Sequence, residues 1–241
     1  ELSRVAPRRV VVLLDGLEKL PEGTSTSEVF DALGMLSDDI DLVVVLPWTL
    51  AFGSGPDTIL RAGEHIVTLR ALEVEGDEGA PGRTFLCELL ARRLGLPVDV
   101  FAASLTREDE LSALQRPPVS PQASVASAAV YSGGVPRTFL QLVADAGTYA
   151  RMRRKDPWPT ASDVLDAVAD QEDSFRRILR RGDNDAIHSV EGKDGRELEL
   201  ERKIRLLAHG VLLERVRGGT PVLTVHPLVA RLLNPQGASR A

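Results

Sequence analysis

Two short stretches near the start of the chain are apolar at every position, not at every second one. Val10-Val11-Val12-Leu13-Leu14 and Leu42-Val43-Val44-Val45-Leu46 are also rich in β-branched residues. A strand with one wet face alternates, so these continuous runs predict strands of a parallel sheet covered by helices on both faces. Between them, Ser25-Thr26-Ser27-Glu28 offers a capping box, and Val29, Phe30, Leu33 and Leu36 follow at helical spacing. Strand, helix, strand over roughly 30 residues predicts a βαβ unit with a right-handed crossover. A third strand is expected at Ile66-Val67-Thr68-Leu69. The acidic, Gly-rich stretch Glu75 to Gly82 predicts a loop. It leads into an amphipathic helix carrying Phe85, Leu86, Leu89, Leu90 and Leu94, stopped by Gly95 and Pro97.

From about residue 104 the periodicity turns helical. Short helices are predicted over Arg107 to Leu114 and Ala123 to Tyr131, with Pro117, Pro118 and Pro121 between them. Ser132-Gly133-Gly134-Val135-Pro136-Arg137 then punctuates the chain. Pro136 sits at the first turn of the next helix, where its missing N–H costs least; that helix carries Phe139, Leu140, Leu142, Val143 and Ala146. The basic knot Arg151-Met152-Arg153-Arg154-Lys155, before Pro157 and Pro159, predicts a solvated, mobile linker. A long helix from Ser162 to Arg181 presents Val164, Val168, Phe175, Ile178 and Leu179 on one face. Its early Asp163 and Asp166 and late Arg176, Arg177, Arg180 and Arg181 suit the helix macrodipole. The last unit reads as a helix from Leu198 to His209, strands Val211 to Val216 and Val222 to Val225 around Gly218-Gly219, and a helix opened by Pro227. Helix, hairpin, helix is the order of a winged-helix domain.

Composition narrows the class. The chain has 241 residues, 43% hydrophobic and 27% charged, enough for one large domain or two small ones. Aromatics are only 4%, so Leu, Val and Ala must fill much of the core. Its 29 basic and 35 acidic residues sum to −6, which excludes a globally basic nucleic-acid coat protein but not a local basic face. The single cysteine, Cys87, excludes an internal disulfide and lies on an apolar helix face. No apolar run approaches the ~20 residues that cross a bilayer, and Glu1-Leu2-Ser3-Arg4 is not a signal peptide. A cytoplasmic protein with no membrane partner is expected, and the absence of an initiator Met predicts a piece of something longer.

Asp15 is the first residue with candidate chemistry. It ends the first apolar run, and ligands of open α/β sheets bind at the carboxyl ends of strands. A carboxylate there can hold the water shell of Mg²⁺. Strands also end in Asp-Gly simply because those residues turn well. His65, His188 and His209 have no cysteine or paired-histidine spacing, which argues against zinc. Trp48 and Trp158 are expected to be packing residues.

Four strings together carry a family resemblance. Val10-Val11-Val12-Leu13-Leu14-Asp15-Gly16-Leu17-Glu18 resembles a Walker B element, and the Leu42 to Leu46 run, ending Pro47-Trp48-Thr49, lies where a sensor-1 strand follows it. Ser132-Gly133-Gly134-Val135-Pro136-Arg137 resembles two lid motifs. One is the Gly-Gly-x-Pro-Arg of AAA+ ATPases, whose Arg acts as sensor 2 on the γ-phosphate. The other is the Gly-Leu-Pro-Leu of STAND and NB-ARC switch ATPases, whose Pro lies against the adenine. Thr224-Val225-His226-Pro227-Leu228-Val229 resembles the Met-His-Asp motif of the NB-ARC winged helix, whose His contacts the β-phosphate of ADP. A smaller likeness is Thr160-Ala161-Ser162-Asp163-Val164, similar to the Thr-x-x-Asp-Val that enters the winged domain of AAA+ initiators.

In order and spacing the chain therefore resembles the part of an AAA+/STAND-type P-loop ATPase that follows the Walker A loop. The resemblance implies an α/β core of residues 1–103 with part of a parallel P-loop sheet, a helical lid of 104–155, and a winged-helix domain of 156–241. It implies ATP or ADP with Mg²⁺ as ligands, Asp15 holding the metal through water, and Thr49, Gly134, Pro136, Arg137 and His226 at the nucleotide. His226 just before a helix fits a structural contact as well as a phosphate contact, and Arg137 fits a solvated helix start as well as sensor 2.

Two departures shape the expected function. No Gly-x-x-x-x-Gly-Lys-Ser/Thr occurs; Phe52-Gly53-Ser54-Gly55-Pro56 has glycines but no Lys and follows the Walker B string. Either that segment lies upstream of Glu1 or in a partner chain, or the polypeptide is a pseudo-ATPase. Gly16 also stands where AAA+ enzymes place the catalytic Glu, leaving Glu18 as the nearest residue to orient water. A nucleotide-dependent regulatory switch with slow hydrolysis, self-associating or acting on a partner protein, is the leading expectation. The alternative is a non-catalytic winged-helix module for DNA or protein. Arg202, Lys203, Arg205, Arg215 and Arg217 favour DNA, while Glu197, Glu199, Glu201 and Glu214 dilute that charge.

Overall fold

The computed structural model describes residues 11–15, 28, 35, 41–45, 69–101, 121–155 and 158–234. The predicted Ile66–Thr68 strand segment and the Arg107–Leu114 helix lie outside these residues, as do Glu18, Trp48 and Thr49. The fold is mixed α/β, mostly helical with small sheets, and divides into two compact units: Glu1–Leu69 with Glu199–Ala208, and Arg70–Leu198 with His209–Ala241.

In the first unit, strands β1 (Val11–Leu14) and β2 (Asp41–Val44) pair in parallel, with Val11 opposite Asp41 and Leu14 opposite Val44. The Val45 N–H extends the ladder to the Leu14 carbonyl at 2.8 Å. The parallel sense fits the predicted crossover. The expectation of cover on both faces is corrected: Val11, Leu13 and Val43 are 62%, 66% and 51% exposed. Successive side chains point to opposite faces of a strand, and here one of those faces meets solvent although its residues are apolar.

The second unit starts with a strap outside helix and sheet, residues 70–75, and a single 3₁₀ turn, Asp77–Gly79, that opens α1 (Ala80–Leu94). Part of the predicted loop is therefore helical. Pro81 suits a first helical turn, and Gly79 and Gly82 allow the helix start to press on the strap backbone. A Cβ at Gly82 would lie 2.0 Å from the Glu73 carbonyl oxygen. Gly95, at φ 67°, ends α1 as expected. Cys87 is buried in α1, and that burial pushes its thiol up to about 11 against the opposing Arg83, so it is an inert core residue.

The remaining elements are α2 (Pro121–Tyr131), α3 (Pro136–Arg154), α4 (Ala161–Ile178), α5 (Asp183–Val190), α6 (Leu200–Ala208), which belongs to the first unit, the antiparallel hairpin β3 (Leu212–Arg217) and β4 (Thr220–Val225), and α7 (Pro227–Leu233). Helix α1 packs on α2 and α3, α3 on α4, and α7 on α4 and α2. Their shared core is Leu86, Phe139, Leu142, Val164, Val168 and Leu228. Phe101 is buried under the half-exposed Trp158 ring at 5.7 Å. Among the described residues, no helix is long and apolar enough to cross a membrane.

The basic knot is not a linker. Arg151, Arg153 and Arg154 form the last turn of α3, where cations complement the helix carbonyls. Arg154 reaches the Asp163 carboxylate at 2.5 and 3.3 Å, and Arg153 pairs with Asp166 at 2.5 Å, both acids standing in the first turns of α4. Asp163 also accepts from the N–H and hydroxyl of its capping residue Thr160, each at 2.8 Å. Two arginines thus clamp the end of one helix to the start of the next.

Burial alone would raise the Asp163 acid strength midpoint, but the Arg154 contact and the Thr160 N–H and hydroxyl outweigh it and hold the carboxyl at about 2. A folded-state value below the unfolded 3.8 stabilises the fold above that pH and ceases to do so as pH falls through 2. We expect Asp163→Asn to lose about 2 kcal/mol at pH 7, read by urea denaturation. The gap from wild type should close between pH 5 and pH 2.

Candidate functional site

The Gly133–Arg137 turn joins α2 to α3, and its shape is set by close approaches that only glycine permits. Gly134 has φ 79°, and a Cβ there would fall 1.9 Å from the Leu72 carbonyl oxygen. The Leu72 N–H in turn donates to the Gly134 carbonyl at 3.0 Å, so strap and turn lie backbone to backbone. Gly133 has φ 63°, and its Cβ would meet Leu213 Cδ1 at 2.7 Å, Pro227 Cδ at 2.9 Å and His226 Cδ2 at 3.2 Å. Ser132 steadies the bend: its hydroxyl donates to the Ala129 carbonyl at 2.6 Å and accepts from the Gly134 N–H at 3.2 Å.

The structure thus brings together two sequence motifs, the Ser132-Gly133-Gly134 bend and the His226-Pro227 helix start. His226 is buried at the N-cap of α7, where its Nδ1 accepts from the Leu228 N–H at 3.2 Å. Its ring lies 4.9 Å from that of Phe175. With Nδ1 accepting, the proton of the neutral ring sits on Nε2, which is buried and has no hydrogen-bond partner. Burial is the main cause that lowers the imidazole to about 4. The Ser132 backbone carbonyl favours the charged ring without reaching hydrogen-bond geometry, and the Arg215 guanidinium disfavours it. His226 is therefore neutral at physiological pH.

A buried arginine organises this neighbourhood. Arg215 of β3 is 2% exposed; its Nη1 pairs with Glu73 Oε1 of the strap and its Nη2 donates to the Gly133 carbonyl at 3.0 Å. Glu75 approaches Nη2 at 4.0 Å, and Arg217 lies 4.0 Å from Glu73 Oε2. Further along the strap, Arg83 of α1, also buried, donates to the Val74 and Gly76 carbonyls at 2.6 and 3.0 Å. The sequence had placed Arg215 among the basic residues of a wing. The signal against that was available: in a strand, Leu213 and Arg215 share a face, and Leu213 is apolar.

Of the other sequence-predicted residues, Pro136 and Arg137 are exposed in the first turn of α3. Asp15 is exposed just beyond β1, in the other compact unit. The described residues contain no group of three His, Cys, Asp or Glu side chains that could hold a metal ion. Neither a family model, nor a curated protein, nor a solved structure matches the chain.

Two measurements check this geometry. Gly134→Ala should destabilise by about 2–4 kcal/mol, combining left-handed strain with the Leu72 clash. Gly218→Ala, at φ 58° but with open space around it, should cost only about 1–2 kcal/mol; equal losses would contradict the close approach. For His226, the unfolded ring takes up a proton as pH falls below 6.5 while the folded ring resists until about 4. Wild-type stability should fall across that window, and His226→Asn, which keeps a capping oxygen, should show a flatter dependence.

Proposed function

We propose that the chain is part of an AAA+/STAND-like regulatory switch that responds to ATP or ADP. The observation that carries this reading is the contact of Gly133 with His226 and Pro227. In the family that the sequence resembles, these two motifs address one nucleotide, and they come from distant parts of this chain. The buried, unpartnered Nε2–H of His226 is a neutral donor of the kind a phosphate oxygen accepts. The exposed Arg137 at the start of α3 is free of burial cost and supplies a charge for a γ-phosphate. Bound Mg²⁺ would neutralise phosphate charge, and Asp15, at the end of a parallel strand, is suited to one water-mediated contact with it. On this reading Glu18 orients water in a slow hydrolysis, Thr49 and Pro136 flank the nucleotide, and the helix–hairpin–helix segment is a winged helix that follows the phosphate state.

The rival reading, a DNA-binding wing, is weakened by the same contacts. Arg215 is buried in an internal ion pair and Arg217 leans toward Glu73, so the hairpin has little charge left for phosphates.

The test is nucleotide titration of the full-length gene product. Arg137→Ala should weaken ATP at least roughly 10-fold while changing ADP less, because only ATP carries the γ-phosphate. Asp15→Ala should lower the Mg²⁺ dependence of binding. Unchanged affinity for both nucleotides in both variants would remove the site assignment.

A further inference from the structure

The strap ahead of α1 is held very differently at its two ends. From Val74 onward it is riveted: Val74 is fully buried, Arg83 takes the Val74 and Gly76 carbonyls, and Gly79 presses the start of α1 on the Val74 backbone. From Arg70 to Glu73 no side chain is fully buried, Leu72 being half-buried, and the preceding Leu69 is 87% exposed. Among the described residues, that half has one backbone bond to β3, Ala71 N–H to Glu214 O at 3.2 Å, one to the turn, Leu72 N–H to Gly134 O at 3.0 Å, and the close approach of Gly82 to the Glu73 carbonyl. Its charged side chains add Arg70 with Glu214 at 2.6 Å and Glu73 with the buried Arg215 and, at 4.0 Å, Arg217; the Glu73 carboxylate also accepts from the Val74 and Glu75 N–H groups at 3.2 and 3.3 Å.

We infer that residues 70–73 form a separately opening latch, closed by Glu73 on Arg215 and hinged where the fixed Val74–Gly76 segment begins, whose release loosens the Gly133–Gly134 turn. Gly76, whose carbonyl accepts from Arg83 at 3.0 Å and from the Gly79 N–H at 3.2 Å, gives the latch a fixed end. The closed state is also not saturated. Arg215 has five N–H donors in a fixed fork, and its buried Nε has no partner. Opening lets water reach that donor and the Glu73 carboxylate, which offsets part of the lost Coulomb attraction. A latch held by a charge pair opens at lower cost than one held by a packed core, and local openings of this kind are where regulation acts.

Release has a direct consequence for the turn. The Gly134 carbonyl loses the Leu72 N–H, and the Arg215 fork that holds the Gly133 carbonyl loses its counter-charge. Arg70 follows Leu69, the end of the first unit's long run, so the latch starts at one of the three points where the chain passes between the two compact units. Its use to gate a nucleotide rests on the function proposed above; the latch itself needs no ligand.

Native-state hydrogen exchange on this chain, without nucleotide and over a series of low urea concentrations, tests the latch independently of that function. In wild type, the Ala71 and Leu72 amides should exchange through an opening with a much weaker urea dependence than the Val168 amide in the core of α4. Glu73→Gln keeps the size and removes the charge. It should accelerate Ala71 and Leu72 at least roughly 10-fold more than Val168. Equal urea dependence of the three amides in wild type, or equal acceleration of all three in the variant, would make the strap part of the global core and overturn the latch. No acceleration at Ala71 and Leu72 would overturn the role of the ion pair.

Discussion

A guanidinium shut away from water must find its partners in the protein, and that requirement shapes the second unit of this molecule. Arg215 is one of its largest fully buried side chains. Stripping a charged group of water costs several kcal/mol even after relaxation, so a carboxylate and further acceptors must be brought to it. Here they come from far away in the chain: Glu73 is 142 residues distant and the Gly133 carbonyl 82. Strap, glycine turn and hairpin meet because each supplies a group to the same fork.

The other features of the site follow from that meeting. Once Arg215 draws in the Gly133 carbonyl, the turn must lie on the hairpin and the start of α7, and only residues without a Cβ fit against Leu213, His226 and Pro227 on one side and Leu72 on the other. His226, caught between this turn and Phe175, stays neutral and spends one nitrogen on the α7 backbone. A neutral ring is also what the neighbouring guanidinium favours, since a second cation would be repelled. The α3–α4 corner, fastened by Arg153 and Arg154 on Asp163 and Asp166, ties α3, which follows the glycine turn, to α4, on which α7 packs.

Local order was legible in the sequence where a periodic or capping signal was strong. The two apolar runs, Pro136 and Pro227 at helix starts, the Gly218-Gly219 hairpin and the long α4 face all depend on neighbours a few positions apart. What escaped were partners far apart or signals too short. Helix α5 offers only Ile187 and Val190 as buried apolar anchors, too few to establish a period. The α3 arginines read as a linker because their acidic partners lie past two prolines. Arg215 read as wing charge because charge suggests solvent, although the two-residue repeat put it beside Leu213. Glu73 had no pattern at all: its role exists only once the chain has folded. For the apolar face of β1 and β2, hydrophobicity indicated that cover was suitable, not that these residues would receive it.

The most direct test of this account is a double-mutant cycle between Glu73 and Arg215, using Glu73→Gln, Arg215→Met and the double variant in urea denaturation. If the buried pair organises the unit, each single change leaves one group stranded, and the double change should recover at least about 1.5 kcal/mol relative to the sum. Additive losses, with coupling near zero, would mean that the two side chains do not depend on one another, and the account built on their contact would fail.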